Sequence, residues 1–325
     1  MRARLTAFIA TPPADGAAGG NRVTALRWAK RLRELGWHVV VADAWHGEPC
    51  DLLVALHAHK SHASIARLAV AHPSVPRVVA LTGTDVYGEL DHDAASLDSL
   101  ALATRLIVLQ PRALDRVPAG VRDRARVIRQ SAAAARVAAP AGDFTACVLA
   151  HLRDVKDPLL AAHAAKLLPD DSRVRIVHVG AVHGEPWIAA ARRAELESRG
   201  RWTWLGGKPR IEALRVLAAS RVLVLTSRTE GGANVVTEAI AAGIPVLSTR
   251  IEGSLGILGD DYPGYFEVGD ADGLARLLAR CERDASFLDE LRSRIHALAP
   301  LVDPARERAA WRAVLDELGW ARGGG

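Results

Sequence analysis

One hydropathy pattern runs through this chain twice, and it limits what the chain can fold into. Short, nearly unbroken apolar runs come first: "RLTAFIA", "WHVVVA", "DLLVAL", "RVVALT" and "RLIVLQ". Between several of them lie amphipathic patterns such as Val23–Leu35 and Ser61–Ala71. The pattern then restarts: "TACVLA" precedes Pro158–Leu168, "VRIVHVG" precedes Trp187–Arg199, "WTWLGG" precedes Arg210–Ala219, and "RVLVLT" precedes Asn234–Ala242. A strand that is apolar on both faces has no side to offer water, so it must be covered twice, and helices in between supply the cover. Two such series predict an α/β fold with two doubly wound, Rossmann-like parallel-sheet domains. The small-residue stretch "RQSAAAARVAAPAGDF" (Arg129–Phe144) separates the series and places the junction near Ala138. The expected domains are therefore 1–138 and 139–325, the second carrying the final helices Asp284–Leu298 and Asp303–Leu318.

Length and composition agree with this. At 325 residues the chain exceeds what a single core usually supports. Half of it is apolar, yet no stretch approaches the roughly 20 apolar residues that span a bilayer. The opening "MRARLTAFIATPP" reads as a first strand and not as a signal peptide. Cys50, Cys147 and Cys281 fit neither a disulfide framework nor a zinc spacing, which favours a reducing cytoplasm. Net charge is +5, suited to an anionic small ligand. No aromatic-rich basic run or finger spacing points to nucleic acid. The cationic face of "RWAKRLREL" lacks the apolar ridge of an interfacial helix, so no stable membrane association is expected. Oligomeric state is left open.

The stretch "RTEGGANVVTEAIAAGIPV" concentrates the chemistry. A buried strand ends before it, and Gly243 stops the helix that follows, so Glu230, Gly231, Gly232 and Ala233 form a strand-to-helix turn. Amides at a helix start attract phosphate, and glycines let it come close. Glu238 shares a helix face with Asn234, where its carboxylate can accept from both hydroxyls of a ribose. Glu230, ahead of the glycines, can take hydroxyls of a sugar beyond the phosphate. The turn suits a nucleoside diphosphate sugar bound along its length.

At this point the chain resembles the nucleotide-sugar glycosyltransferases of the GT-B architecture, family 4-like. Their signature of Glu, seven residues and a second Glu stands here as Glu230, "GGANVVT" and Glu238, followed by "AIAAGIPVLST". The resemblance implies two facing domains with an interdomain cleft, and donor-diphosphate binding by an Arg and a Lys in "LAHLRDVKDP", matched by Arg153 and Lys156. Gly206, in "WTWLGG", counts with the donor residues. Because these cations and a helix N-terminus already offset the diphosphate, no metal or other cofactor is expected.

On the other side, "ADGAAGGNRVT" places Gly20, Asn21 and Arg22 in a loop ahead of a helix as acceptor candidates. "LTGTDVY" resembles the family's His-Gly-Thr/Ser-Asp segment with Thr82 in place of the histidine, leaving Thr84 and Asp85 as candidates for hydroxyl binding, Asp85 alternatively as a helix cap. "VALHAHKSHAS" puts His57, His59 and Lys60 past a strand end. Metal is the weaker reading there, because carboxylates at ligand spacing are absent nearby, and an anionic acceptor is the stronger one. "DHD" at Asp91–Asp93 reads as a polar loop. Glu230, His57 and Asp85 stand as the catalytic candidates.

The segments "GGNRVTALRWAKRL", "DLLVALHAHKS", "LTGTDVYGEL", "LIVLQP", "VIRQS", "HLRDVKDP" and "GILGDDYPGYFEVGD" together resemble one small subfamily, the selenosugar synthases of selenoneine biosynthesis. That resemblance implies UDP-N-acetylglucosamine as donor and selenophosphate as acceptor, with UDP and phosphate released. An anionic selenium nucleophile needs little help from a base, and His57, His59, Lys60, Arg22 and Arg129 would meet its charge. The alternative is an ordinary GT-B enzyme with a lipid or glycan alcohol as acceptor.

Overall fold

The computed structural model describes residues 4–13, 19–83, 85–90, 92–133, 144–182 and 184–320. The chain divides into two compact units. The first runs to Ser131, takes in Glu230–Asn234 and resumes at Asp303; the second comprises Ala132–Thr229 and Val235–Val302. The junction expected near Ala138 lies outside the described residues.

In the first unit the elements are β1 (Thr6–Ala10), α1 (Gly20–Glu34), β2 (His38–Ala42), β3 (Leu52–Leu56), α2 (His62–Ala71), β4 (Arg77–Leu81), α3 (Ala94–Leu102), β5 (Arg105–Val108) and β6 (Ala125–Val127). The strands form one parallel sheet in the order β2-β1-β3-β4-β5-β6. Alternation along each strand feeds two cores. Ala7, Ile9, Leu52, Val54 and Leu56 face Trp28 and Leu32 of α1, whereas Phe8, Ala10, Leu53 and Ala55 face Trp45, Ile65 and Leu68. Continuous apolar runs are thus explained by burial on both faces.

The second unit continues with β7 (Phe144–Leu149), α4 (Leu160–Leu167), β8 (Val174–Val179), α5 (Glu185–Glu197), β9 (Trp202–Trp204), α6 (Arg210–Ala218) and β10 (Val222–Leu225). Then come α7 (Asn234–Ala242), β11 (Val246–Thr249), α8 (Glu252–Leu258), β12 (Tyr265–Phe266), α9 (Ala271–Arg283) and α10 (Ala285–Leu298). Its strands, again parallel, lie in the order β12-β11-β10-β7-β8-β9. The expected strands and helices are present, their ends differing by three residues at most. All three cysteines are free, and burial pushes Cys147 and Cys281 up to about 12.

The last helix, α11 (Pro304–Leu315), departs from expectation. It was assigned by sequence to the second domain but groups with the first unit. Trp311 is fully buried and meets Trp28 edge-on at 5.0 Å. Such a pair contributes about 0.5–1.5 kcal/mol beyond area burial. An amphipathic stripe does not name its partner; here α1 offers the indole-sized gap.

His178, on β8, is fully buried, its Nε2 2.8 Å from the Ala150 carbonyl oxygen and its ring edge-on to Trp202. Burial pushes its pKa from 6.5 down to about 4. Between those values the unfolded chain binds more protons than the folded one, so stability rises with pH and is lost as pH falls. This contribution is on the order of 3 kcal/mol at the acid end. Urea unfolding followed from about pH 4 to 6.5 should show the slope, and His178→Gln should remove it. An unchanged slope in that variant would assign the acid sensitivity to other groups.

Candidate functional site

Doubly wound sheets bind ligands beyond their strand carboxyl ends, where the strand order reverses. In the second unit that point lies between β7 and β10, which are neighbours although far apart in sequence. The segments leaving these two strands are tied together. The Thr226 hydroxyl donates to the Lys156 carbonyl at 2.7 Å, and the Arg228 amide donates to the Val155 carbonyl at 2.9 Å. The Arg228 guanidinium pairs with Asp157 at 2.9 Å, an interaction the sequence reading missed. Arg153 is exposed and Lys156 half-buried on a short helical turn, Asp154–Lys156, at this crevice.

Glu238, on α7, is 7% exposed, and Arg210 at the start of α6 donates to its Oε1 at 2.5 Å. A carboxylate this enclosed requires a cation or a set of donors. The expected ribose acceptor is therefore held by a guanidinium whose own side chain is 47% exposed. Only the apolar neighbours Val236, Ala239 and Ile240 hinted that this acid is buried. Gly206 adopts φ +72° after β9, a conformation that favours glycine, and its carbonyl accepts from the Gly180 amide at 3.0 Å.

Glu230 is half-buried, while Gly231, Gly232 and Ala233 are buried. The glycines were expected to admit a phosphate. Within the first unit they answer a nearer demand. A Cβ on Gly231 would meet the Thr82 carbonyl at 2.5 Å, and one on Gly232 would meet Leu109 Cβ at 2.6 Å. Asn234, expected to bind donor, turns its carboxamide to α1: Oδ1 accepts from Arg27 at 2.8 Å and Nδ2 donates to the Gly20 carbonyl at 3.2 Å.

The acceptor candidates of the first unit separate into several environments. Gly20, Asn21 and Arg22 are not loop residues but the first turn of α1, which begins three residues earlier than Val23. Asp85 has no exposed surface and accepts from the amides of Ala58 at 3.1 Å, Thr82 at 3.0 Å and Gly83 at 2.7 Å. It stitches the ends of β3 and β4 together, in place of the catalytic or hydroxyl-binding role expected of it. His57 is buried with φ +76°, a strained backbone for a non-glycine residue, and its Nδ1 lies 3.9 Å from Asp85. Lys60 is exposed. His59 is exposed too, but its Nδ1 is 2.9 Å from Asp93. Asp93 also caps α3 through the Ser96 amide, and the bond to His59, foremost, holds its carboxyl down at about 2. Arg129 is half-buried; burial and the nearby Arg306 charge lower its pKa. Thr84 lies outside the described residues. Among the described residues, no three His, Cys, Asp or Glu side chains are grouped to hold a metal ion.

Comparison with known proteins matches residues 130–299 to the family described as glycosyl transferases group 1. A segment of 81 residues is 40% identical to the lipopolysaccharide core biosynthesis glycosyltransferase LpsE of Rhizobium meliloti (strain 1021), covering 25% of this chain and 24% of that one. The chain thus matches only about a quarter of that relative's length. Among solved structures, HepE of Anabaena in complex with UDP and glucose superimposes with a TM-score of 0.79 at 16% identity, covering 97% of this chain and 100% of that one. Sucrose-phosphate synthase from Thermosynechococcus elongatus gives a TM-score of 0.79 at 18% identity, covering 98% and 100%. At these identities the likeness speaks to the fold.

The glycine contacts have a direct consequence. Gly231→Ala forces a methyl against backbone that cannot swing aside, so it should destabilise the chain by about 1–3 kcal/mol. Gly120→Ala, where nothing lies within 4 Å of an added Cβ, serves as control and should be nearly neutral. Denaturant unfolding compares the two, and equal stabilities would remove the steric demand placed on the turn.

Proposed function

This chain belongs to the glycosyl transferases group 1 family and has the GT-B fold, and on that premise we propose that it transfers a hexosyl group from a UDP-sugar. The observation that carries the proposal is that Arg153, Lys156 and Glu238 lie on the segments leaving β7 and β10, the two strands that flank the strand-order reversal of the second sheet. In the reaction the bond from the sugar's anomeric carbon to the diphosphate oxygen breaks, its electron pair leaves with UDP, and the acceptor's nucleophile bonds to that carbon. Arg153 and Lys156 offset the charge of the departing diphosphate. Glu238 accepts the ribose hydroxyls where Arg210 now donates, so the guanidinium gives way as the nucleotide enters. Glu230 orients the sugar ring at the reacting carbon. HepE, solved with UDP and glucose, supports the class of donor.

The finer reading is the acceptor. Selenophosphate, with UDP-N-acetylglucosamine as donor, fits the subfamily resemblance: selenium attacks the anomeric carbon, the carbon–selenium bond forms, and water then cleaves phosphorus from selenium to give phosphate. Such a nucleophile is anionic before it binds and needs no strong base. The full burial of Asp85 among backbone amides supports a reaction that does not call on it. Arg22, Lys60 and Arg129 supply the basic surroundings, with His57 and the Asp93-bound His59 in second place. The 40% identical segment of the lipopolysaccharide enzyme favours a second reading, a glycan alcohol as acceptor. Mass spectrometry of products from UDP-sugars with selenophosphate or with glycan alcohols separates them. A carbon–selenium product with UDP-N-acetylglucosamine supports the first; transfer to alcohols alone overturns it and leaves the donor assignment standing.

Glu238→Ala and Lys156→Ala should each weaken UDP binding by about 1.5–3 kcal/mol, the worth of a lost charge-assisted hydrogen bond. Isothermal titration measures this, and wild-type affinity in both variants would move the donor elsewhere. Turnover should survive exhaustive EDTA, since cationic side chains are assigned the role a metal would play. A dead enzyme revived by Mg²⁺ or Mn²⁺ would contradict that assignment.

A further inference from the structure

Glu307 of α11 holds its carboxyl in a place with no exposed surface. Three donors converge on it: Trp28 Nε1 at 3.0 Å and Arg27 Nε at 3.1 Å on Oε1, and the Ser131 hydroxyl at 2.5 Å on Oε2. A carboxylate satisfied this fully holds its partners as firmly as they hold it. Arg27, 11% exposed, is thereby fixed at its Nε, and its Nη2 reaches Thr24 Oγ1 at 3.5 Å. Its Nη1 donates to Asn234 Oδ1 at 2.8 Å. The Asn234 amide nitrogen then donates to the Gly20 carbonyl at 3.2 Å and reaches Thr24 Oγ1 at 3.4 Å. Thr24 is held in turn by Gln130 at 3.1 Å. The carboxamide has one sensible orientation, because a flip would set its NH₂ against the guanidinium.

Asn234 ends the Glu230–Ala233 turn and begins α7, so its side chain is the point where that turn can be fastened. We propose that Arg27, oriented by the buried Glu307, is a positioning residue that latches the Glu230–Asn234 turn to α1 through the Asn234 carboxamide. Neither Arg27 nor Glu307 was among the site candidates, and neither needs to touch substrate. The latch binds through two directions of one planar fork, which a lysine ammonium cannot reproduce. The catalytic consequence rests on the transferase reading, in which Glu230 orients the sugar; the fastening itself does not.

The test uses the full chain and its variants Arg27→Ala, Arg27→Lys, Asn234→Ala, Glu307→Gln and the Arg27→Ala/Asn234→Ala pair. Hydrogen exchange is read in peptides across residues 229–236, with those of β8 as control. Arg27→Ala should speed exchange in the turn about tenfold, as loss of one charge-assisted hydrogen bond implies. Arg27→Lys should not restore it, and the double variant should exchange no faster than either single, because both cut one link. Turnover should fall about tenfold in kcat while UDP affinity stays within about twofold, since Lys156 and Glu238 are untouched. Turn exchange unchanged in Arg27→Ala, full rescue by lysine, or additive effects in the pair would each overturn the latch, as would lost UDP affinity at unchanged kcat. Should Glu307→Gln unfold the chain, Arg27→Ala and Asn234→Ala still decide. A wild type that binds no UDP sinks the transferase reading alone, and the exchange result still judges the latch.

Discussion

Parallel strand pairing is the constraint from which the rest of this molecule follows. Within each sheet, every crossover must return the chain to the same end, so all strands finish at the opposite end and the segments beyond them collect there. Both faces are then covered by helices, which explains why β3 and β10 are buried along their whole length. Within β3 and β10 no side chain is polar, and the candidate polar residues lie beyond the strand ends. Arg153 and Lys156 follow β7, the Glu230 turn follows β10, and His57–Lys60 follow β3. In each unit, these segments are what the topology leaves over for chemistry.

Within that frame, buried charge sets the fine geometry. Asp85 gathers three amides, Glu307 three side-chain donors, and Glu238 the Arg210 guanidinium. The first two are closed arrangements in which acid and donors fix one another, and they stiffen the ends of β3 and β4 and the middle of α1. Glu238 differs because its partner is half-exposed on a long arm, and the ion pair can be exchanged for another set of donors without burying an uncompensated charge. That contrast is what the proposed donor role of Glu238 draws on.

Much of this was legible in the sequence. The apolar runs named the strands, and the Glu-Gly-Gly turn and α7 came out where the punctuation by Gly243 placed them. Short or mixed elements escaped: β6 reads Ala-Arg-Val and β12 has two residues, too little for periodicity to act on. The regrouping of α11 could not be read because it depends on Trp311 meeting Trp28, a contact nearly the length of the chain apart. Gly20–Arg22 looked like loop because paired glycines suggest turns, yet Gly19 alone caps α1 and the helix starts at once. At the site, the sequence offered candidate residues but not the side chains that hold them. Asp93 claims His59, Arg210 claims Glu238, and Arg27 claims Asn234, and no spacing rule connects positions that far apart.

The proposed function requires Glu238 to exchange a guanidinium for a ribose. A crystal structure of the chain with UDP tests it most directly. The expected result is ribose hydroxyls within hydrogen-bond reach of the Glu238 carboxylate, the diphosphate beside Lys156, and Arg210 withdrawn from the position it holds now. A nucleotide bound while Arg210 still donates to Glu238, with the ribose elsewhere, would contradict it.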